Sequence, residues 1–239
     1  MMNINDKAQR GFSLAETLVA LVVGMIMLLA IYSVVNMAQK SATGIEKKVV
    51  AQQDVRLAIE IMALEIRMAS YNSFADNSIW VNPSTCTADS PISRGIRDAT
   101  ANSITIEMDI DNSSVIGDAG NEIITYNYLS GGTNLRITRE TISCPGPTAS
   151  GAQPFLGSSE SDLSSTGVRV INGTLNLPLF RYYDGTETEI FPTTADQSML
   201  PNIRRIGITI AVETVDKDNE KRTLIYGTSV IPKNHGISY

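Results

Sequence analysis

Apolar positions are concentrated near the start of the chain. Residues 14–35 are almost continuously apolar, and Glu16 is the only charged residue among them. A helix needs about 20 predominantly apolar residues to cross a lipid bilayer. The pattern therefore predicts one membrane-spanning helix, whereas the rest of the chain mixes apolar residues with serine, threonine, asparagine and glycine.

The helical pattern continues past the apolar run, because no proline occurs between Phe12 and Pro83. Apolar residues recur at steps of three and four in two stripes, which are Val55, Ile59, Met62, Ile66 and Ala69, and Leu57, Ile61, Leu64 and Met68. Together they predict a broad apolar face that packs against a sheet. We expect one helix from about residue 13 to residue 71, with Gly44 as the point where it can bend or melt locally.

Beyond residue 72 the pattern changes to short β-type runs separated by turns. The predicted strands are residues 103–108, 122–128, 134–140, 168–172, 179–183, 203–213 and 222–231. Residues 129–133 and 216–220 carry hairpin-turn signals. The run 141–167 is rich in serine, glycine and proline and predicts a long exposed loop. The predicted fold class is α+β, with the long N-terminal helix packed on an antiparallel β-sheet domain.

The length, net charge and residue content of the chain limit the kinds of function that it can have. The 239 residues suffice for one globular domain plus the long helix. The formal net charge is -6, and no run of lysine and arginine offers a surface for a phosphate backbone, so nucleic acid is not an expected partner. His235 is the only histidine, and no nucleophile elbow, Walker loop or dinucleotide fingerprint occurs. We therefore expect no enzyme activity.

The residues around the apolar run distinguish three kinds of N-terminal segment. A secretory signal peptide has a shorter apolar region followed by a small-x-small cleavage site, and residues 36–38 (NMA) make a poor one. A simple membrane anchor explains the length and the apolarity equally well. It does not explain Glu16, because an unpaired charge at the centre of a bilayer costs about 2.5–3.5 kcal/mol or more.

The segment from Gly11 to Glu16 reads Gly-Phe-Ser-Leu-Ala-Glu and follows a short polar leader. It resembles the class III signal of type IV pilins and pseudopilins, in which glycine precedes an aromatic residue or methionine, a hydroxyl residue, leucine and a glutamate. The resemblance implies that prepilin peptidase cleaves between Gly11 and Phe12 and methylates the new amine of Phe12. It also implies that Glu16 pairs with the N-terminal amine of a neighbouring subunit and sets its register. The same residues also fit a capping box of Ser13 and Glu16 after a turn glycine.

Further segments narrow the resemblance. Residues 52–60 (QQDVRLAIE) and 65–71 (EIRMASY) are similar to the PilW-like minor pilins, in which an Arg-Leu-Ala helix leads into Arg-Met-Ala-Gly-Tyr. Ser70 replaces that glycine, and residues 228–234 (TSVIPKN) resemble the end of PilW-like chains. The J-type minor pseudopilins share the same plan. The implied segments are a leader at 1–11, a transmembrane and polymerisation helix at 12–36, its amphipathic continuation at 37–71 and a periplasmic or extracellular β-rich domain at 72–239.

The resemblance implies a function in fibre assembly. The expected function is that of a minor pilin in the initiation or tip complex of a type IV pilus. A minor pseudopilin of a type II secretion system and a tip-displayed adhesin are the alternatives. The expected partners are other major and minor pilins, prepilin peptidase and the inner-membrane assembly platform. Before assembly, the chain is expected to cross the inner membrane once, with its N-terminus in the cytoplasm and its C-terminal domain in the periplasm.

The two cysteines, Cys86 and Cys144, both follow the apolar run. If this part of the chain lies outside the cytoplasm, they predict a single disulfide. Two free, partly buried thiols are the alternative.

Two acidic clusters are candidate calcium sites. The first comprises Asp109, Asp111 and Asn112 followed by Asp118 and Glu122, with Asp109, Asp111 and Asp118 as the candidate ligands, and residues 216–220 form the second. Neither cluster follows the EF-hand pattern, and aspartate and asparagine are also the ordinary residues of tight turns. We therefore expect no cofactor, with calcium at the first cluster as the alternative.

Overall fold

The computed structural model describes residues 11–76, 78–88, 94–131, 135–144, 146–157, 168–215 and 221–235. Five predictions fall wholly or partly outside the described residues, namely the leader before Gly11, the end of the turn at 129–133, the first residue of the strand at 134–140, the second half of the loop at 141–167 and the acidic turn at 216–220. The chain forms two compact units, Met1–Glu46 and Lys47–Tyr239. The four predicted functional segments stay a prediction.

Helix α1 spans Leu14–Met68 and confirms the predicted long helix, although it ends earlier than residue 71. Gly44, the expected weak point, lies within the helix. The helix stops because Ser70 has a φ of 64°, a left-handed conformation that does not continue a right-handed helix.

The part of α1 in the second unit buries one apolar stripe rather than two. Val55, Met62 and Ile66 are fully buried, as predicted. Leu57 and Leu64 of the second stripe are each 58% exposed, so the prediction of one broad buried face was wrong. At 3.6 residues per turn, these two leucines point roughly 180–200° away from Val55, so they lie on the opposite side of the helix.

Two antiparallel sheets and a small hairpin complete the second unit. The hairpin pairs β1 (Val81–Asn82) with β2 (Thr87–Ala88). The strands of the first sheet are β3 (Ile96–Ala99), β4 (Ser103–Glu107), β5 (Ile123–Leu129), β6 (Arg136–Ser143), β7 (Thr148–Ala149) and β8 (Gln153–Leu156). Their order is β3-β4-β5-β6-β7, and β8 also pairs with β6.

The second sheet contains the two longest strands. Its strands are β9 (Arg169–Val170), β10 (Phe180–Tyr183), β11 (Glu189–Ile190), β12 (Arg205–Val215) and β13 (Lys221–Val230). Their order is β11-β10-β12-β13, and β9 also pairs with β12. A short 3-10 helix, Leu200–Asn202, precedes β12. One apolar cluster joins the buried stripe of α1 to both sheets, so the second unit has a shared core.

Each predicted β-run overlaps an observed strand, and this confirms the α+β fold class. The prediction of a loop at 141–167 was wrong in its described part, because β6 extends to Ser143 and β7 and β8 follow. Phe155 of β8 packs edge-on against Tyr126 of β5, with ring centroids 5.1 Å apart. Contacts between residues this distant in sequence give order to a segment whose local composition is that of a loop.

Candidate functional site

The chain immediately before α1 is exposed and non-helical. Gly11, Phe12 and Ser13 have no regular secondary structure, and the side chain of Phe12 is 85% exposed. Nothing lies within 4 Å of the position that a Cβ on Gly11 would occupy. The predicted cleavage bond between Gly11 and Phe12 is therefore accessible in the described chain, as proteolysis requires.

Ser13 and Glu16 form a reciprocal capping box at the start of α1. The Glu16 N–H donates to Ser13 Oγ at 3.2 Å, and the Ser13 N–H donates to Glu16 Oε2 at 3.2 Å. These bonds satisfy two of the backbone donors that a helix start leaves unpaired. The capping interpretation of this sequence is confirmed, and it fixes the Glu16 carboxylate at the positive end of the helix dipole.

The apolar run presents its side chains to the exterior on all sides. None of the residues in the most apolar part of this run is buried. By length and composition, α1 can cross a membrane, although a signal sequence near an N-terminus passes the same test. A continuous exposed apolar surface of this size marks a membrane or protein contact. Glu16 is the one carboxylate within it, and its Oε1 accepts no hydrogen bond from the described residues.

Cys86 and Cys144 form the predicted disulfide, with Cα atoms 5.6 Å apart. The bridge ties the turn between β1 and β2 to the end of β6. Next to it, the Cys144 N–H donates to the Gly117 carbonyl at 2.7 Å. A Cβ on Gly117 would lie 3.0 Å from that of Cys144, so this close approach requires glycine. The bridge borders a second, smaller apolar cluster that contains Ile79, Trp80, Ile116 and Ile123.

Three members of the first predicted acidic cluster come together. Asp109, Asp111 and Glu122 place carboxylate oxygens within 4.8 Å of one another. Asp118, a predicted ligand, is not in this group, and its Oδ1 accepts the Ser113 hydroxyl at 3.1 Å instead. Glu122, which the sequence also places in this cluster, joins the group because the loop folds back to the start of β5.

Backbone amides already surround the two buried carboxylates of this loop. Asp109 and Glu122 are fully buried. The Asp109 carboxylate accepts hydrogen bonds from the backbone N–H groups of Ser113 and Ser114. The Glu122 carboxylate accepts three, from the N–H groups of Ile110, Gly117 and Ala119. Burial raises the pKa of the Glu122 carboxyl, and its three amide donors oppose this shift. The loop supplies some of the oxygens that calcium needs, and calcium binding here stays a prediction.

A carboxylate in the second half of α1 is held by the first sheet. Glu65 accepts hydrogen bonds from Arg139 Nη2 at 2.9 Å, from Arg139 Nε at 3.2 Å and from the Tyr126 hydroxyl at 2.5 Å. Arg139 also donates to Asn121 at 2.8 Å. Burial and the neighbouring Glu65 raise the pKa of the Tyr126 hydroxyl. No local sequence pattern indicates this pair, because its members are 74 residues apart and belong to different elements.

The single histidine is part of the core rather than a reactive site. His235 is fully buried. Its Nε2 lies 2.7 Å from the Leu200 carbonyl, and its Nδ1 lies 2.9 Å from both Ser70 Oγ and the Arg94 carbonyl. Burial lowers the pKa of His235, and the two carbonyls oppose this shift. A neutral ring donates from one nitrogen to a carbonyl, and the Ser70 hydroxyl beside Nδ1 donates to the Arg94 carbonyl, so each polar group of the cluster has a partner. The serine and the histidine thus join the C-terminal segment to the end of α1.

Comparison with known families gives one match. The model of the prokaryotic N-terminal methylation motif matches residues 6–32, which include Gly11, Phe12, Glu16 and most of the apolar run. Neither the curated proteins nor the solved structures contain a match to this chain. The motif indicates a prepilin-type protein, a type IV pilin or pseudopilin that prepilin peptidase processes, and it fits a membrane-anchored chain.

Proposed function

We propose that this chain is a minor pilin that takes part in the initiation or tip complex of a type IV pilus. The observation that carries the proposal is the start of α1, where an accessible Gly11–Phe12 bond and the Glu16 carboxylate precede a fully exposed apolar helix. The second unit has its own core and needs no part of that apolar surface to complete it. The apolar surface is therefore available first to lipid and then to other pilin helices.

The finer assignment to a PilW-like minor pilin is supported by the end of α1. The PilW-like pattern has glycine at the position of Ser70, and Ser70 has the positive φ that glycine adopts most readily. The C-terminal residues that resemble PilW-like chains lead directly into the buried His235, whose ring contacts Ser70. The two segments that carry the resemblance therefore meet in the second unit.

In this proposal, processing turns a membrane-stored chain into a fibre subunit. Cleavage after Gly11 leaves Phe12 as the first residue, and its methylated amine carries a positive charge. Glu16 of one subunit accepts that amine from its neighbour, because each charge loses its desolvation penalty only by pairing inside the apolar bundle. No catalytic step is assigned to the chain, since its serine–histidine pair is buried and both ring nitrogens have partners.

Mass analysis of the N-terminus tests the processing step. We expect protein recovered from sheared fibres to begin at methylated Phe12. A Gly11→Val variant should keep its leader and stay in the membrane fraction. Gly24→Ala is the matched control, because a Cβ on Gly24 meets nothing within 4 Å and Gly24 lies within the helix. Fibres whose subunit starts at Met1, or starts unmethylated at another residue, would contradict the proposal.

Fibre incorporation tests the role of Glu16. We expect Glu16→Ala to lower incorporation into fibres at least tenfold, since an unpaired amine in the bundle is costly. Glu60→Ala, an exposed glutamate on the same helix, is the control and should incorporate normally. Equal incorporation of the two variants would rule out the pairing.

The disulfide supports a location of the second unit outside the cytoplasm, because cytoplasmic thiols are kept reduced. A minor pseudopilin is the second candidate, since the methylation motif is common to pilins and pseudopilins. Affinity purification of the full-length protein from membranes separates them. Co-purification with pilus subunits supports the minor pilin, and co-purification with secretion-system pseudopilins supports the alternative.

A further inference from the structure

Strand β13 forms a long, regular edge of the second sheet. It pairs with β12 over its whole length, Lys221–Val230, with no shift in register. In the described residues no strand pairs with its other side.

The outward-pointing backbone groups of β13 can be identified from its partner. In β12, the Thr209 N–H donates to the Leu179 carbonyl, and the Ala211 carbonyl accepts the Ile171 N–H. Both bonds point towards β9 and β10, away from β13. Successive residues of an antiparallel strand direct their N–H and C=O groups to alternate sides. The alternate residues Ile208 and Ile210 therefore bond to β13.

The same alternation assigns the residues of β13. Thr228 and Tyr226 are opposite Ile208 and Ile210, and they bond inwards to β12. The intervening residues direct both backbone groups to the free side, and they are Thr223, Ile225, Gly227 and Ser229. All four are exposed, whereas the inward residues between them are at least half-buried. None of the four makes another hydrogen bond within the described part of the chain.

The other described sheet edges carry features that discourage strand addition. Strand β3 is four residues long and its pairing is irregular between Ile96 and Asp98. Strand β11 has two residues and is soon followed by Pro192, and β8 contains Pro154. Short edges, bulges and prolines are the devices by which proteins block edge pairing. β13, by contrast, is ten residues long, has no register shift and contains no proline, although Lys221 lies at its start and Pro232 follows its end, so the centre of this edge can accept a partner strand.

We propose that β13 pairs antiparallel with β13 of a second copy of this chain, about a two-fold axis at Tyr226. In this register Ile225 lies opposite Gly227 of the second copy, and Thr223 lies opposite Ser229 of the second copy. Ile225 thus faces a position without a side chain, which leaves room for it, and the Thr223 hydroxyl faces the Ser229 hydroxyl, a favourable cross-strand pair. Each outward residue of β13 is thus opposite another outward residue of the same strand in the second copy, so a second copy of this chain can supply the partner strand.

The distribution of charged residues along β13 is consistent with pairing to a second copy of the chain. The four outward residues at the centre of the strand are uncharged, whereas Lys221, which points outward by the same alternation, and Arg222 lie at one end. In an antiparallel pair, the two basic ends lie far apart, so like charges do not meet. An acidic strand would gain no charge pairing here, because its carboxylates would lie opposite the uncharged side chains at the centre of β13.

Cysteine crosslinking of the full-length protein in membranes tests the register. Directly opposed residues in an antiparallel pair have Cα atoms about 4.5–5.5 Å apart, within the range of a disulfide. We expect co-expressed Ile225→Cys and Gly227→Cys chains, with different tags, to crosslink at least fivefold more than Phe191→Cys chains. Phe191 is an exposed control away from β13. Equal crosslinking at Phe191, or crosslinking of β13 only to a different protein, would overturn the proposal.

Two substitutions should break the pair and leave the fold intact. Gly227→Pro removes an outward N–H and no hydrogen bond to β12, and a Cβ at this position meets nothing closer than 3.6 Å. Ile225→Lys places a charge at the centre of the pairing, and Phe191→Lys is its matched control. In detergent solution, we expect the wild type and Phe191→Lys to dimerise and the two β13 variants to dimerise at least tenfold more weakly. A monomeric wild type, or β13 variants that dimerise like the wild type, would overturn the proposal, and thermal unfolding confirms that each variant is folded.

Discussion

Residues 14–35 and 55–68 are two parts of α1, a continuous apolar run and an amphipathic segment with one buried apolar stripe; Glu16 lies in the first and Glu65 in the second. In the second part, the apolar stripe is buried under two sheets, and Glu65 is paired with Arg139 and Tyr126 of the same chain. In the first part, the apolar residues are exposed, and among the described residues the Glu16 carboxylate accepts only the backbone N–H of Ser13. One half of the helix is thus completed by its own chain, and the other half requires lipid or another subunit.

This difference explains how one helix serves two purposes. A carboxylate paired within the chain fixes the fold, whereas a carboxylate without a side-chain partner is available to a neighbour. The predictions below use Trp80, the single tryptophan, as a probe of the second unit, because it is buried beside the disulfide. All refer to the full-length protein in detergent micelles, with denaturant unfolding followed by Trp80 fluorescence and helicity by circular dichroism.

The largest expected effect is removal of the disulfide. Changing Cys86 and Cys144 together to serine should destabilise the second unit by about 4 kcal/mol, because the unfolded chain regains the freedom of the closed loop. The apolar half of α1 should keep its helicity in the micelle, since micelle contacts and not the bridge support it. Loss of helicity in that half along with the Trp80 transition would show that the two regions are not independent.

The second effect separates the two stripes of α1. Met62→Ala should cost about 2–5 kcal/mol, because it leaves a cavity in the shared core. Leu64→Ala, on the opposite side of the same helix, should change stability by less than about 0.5 kcal/mol. The Trp80 transition measures both variants under the same conditions. Similar losses would mean that the exposed stripe is also buried in the micelle-bound protein.

The third effect compares the two carboxylates. Glu65→Ala should cost about 1.5–3 kcal/mol, because it removes charged hydrogen bonds and leaves Arg139 half-buried without them. Glu16→Ala should leave the Trp80 transition unchanged and lower only fibre incorporation. A double change of Glu65 and Arg139 to alanine should cost less than the sum of the single changes. Additive losses would show that the pair contributes no coupling.

The fourth effect is a pH dependence confined to the second unit. Burial lowers the pKa of His235, with Arg94 and Arg204 as neighbouring cations, so the unfolded chain binds a proton more readily than the folded one. The contribution of His235 is therefore present above the unfolded pKa near 6.5 and is lost as the pH falls through the folded pKa. Unfolding at pH 7.5 and 5.5 measures it. In His235→Asn, the free energy of unfolding should change less between these two pH values than in the wild type. An equal change in both proteins would assign the pH dependence to other groups.

The smallest expected effect is that of calcium on the acidic loop. Five amide donors already stabilise the buried carboxylates of Asp109 and Glu122, so the loop does not depend on a cation to close. We expect the Trp80 transition to be the same in millimolar calcium and in excess chelator. A calcium-dependent rise in stability that disappears in Asp109→Asn would instead establish a metal site.

Most of the fold could be predicted because helix and strand periods are local. The spacing of Val55, Met62 and Ile66 identified the buried stripe, and alternation identified β12 and β13. Short strands such as β1 and β8 were missed because they are too short to show a period, and pairing with distant strands gives them their order.

The candidate site divides in the same way. Gly11, Phe12 and Glu16 lie within six residues of one another, so their pattern can be read directly from the chain, and the capping box is equally local. Glu65 and Arg139, by contrast, are brought together only by packing of α1 on the first sheet.

The sequence by itself determined the apolar helix, its single carboxylate and the methylation motif, because each is a pattern of neighbouring residues. Only the tertiary structure decided that Leu57 and Leu64 face away from the core, that Asp118 lies outside the acidic cluster, and that no strand of the described residues pairs with the outer side of β13. These features depend on which elements that are distant in sequence pack together. The free energy of that packing comes from residues throughout the second unit and not from any local pattern.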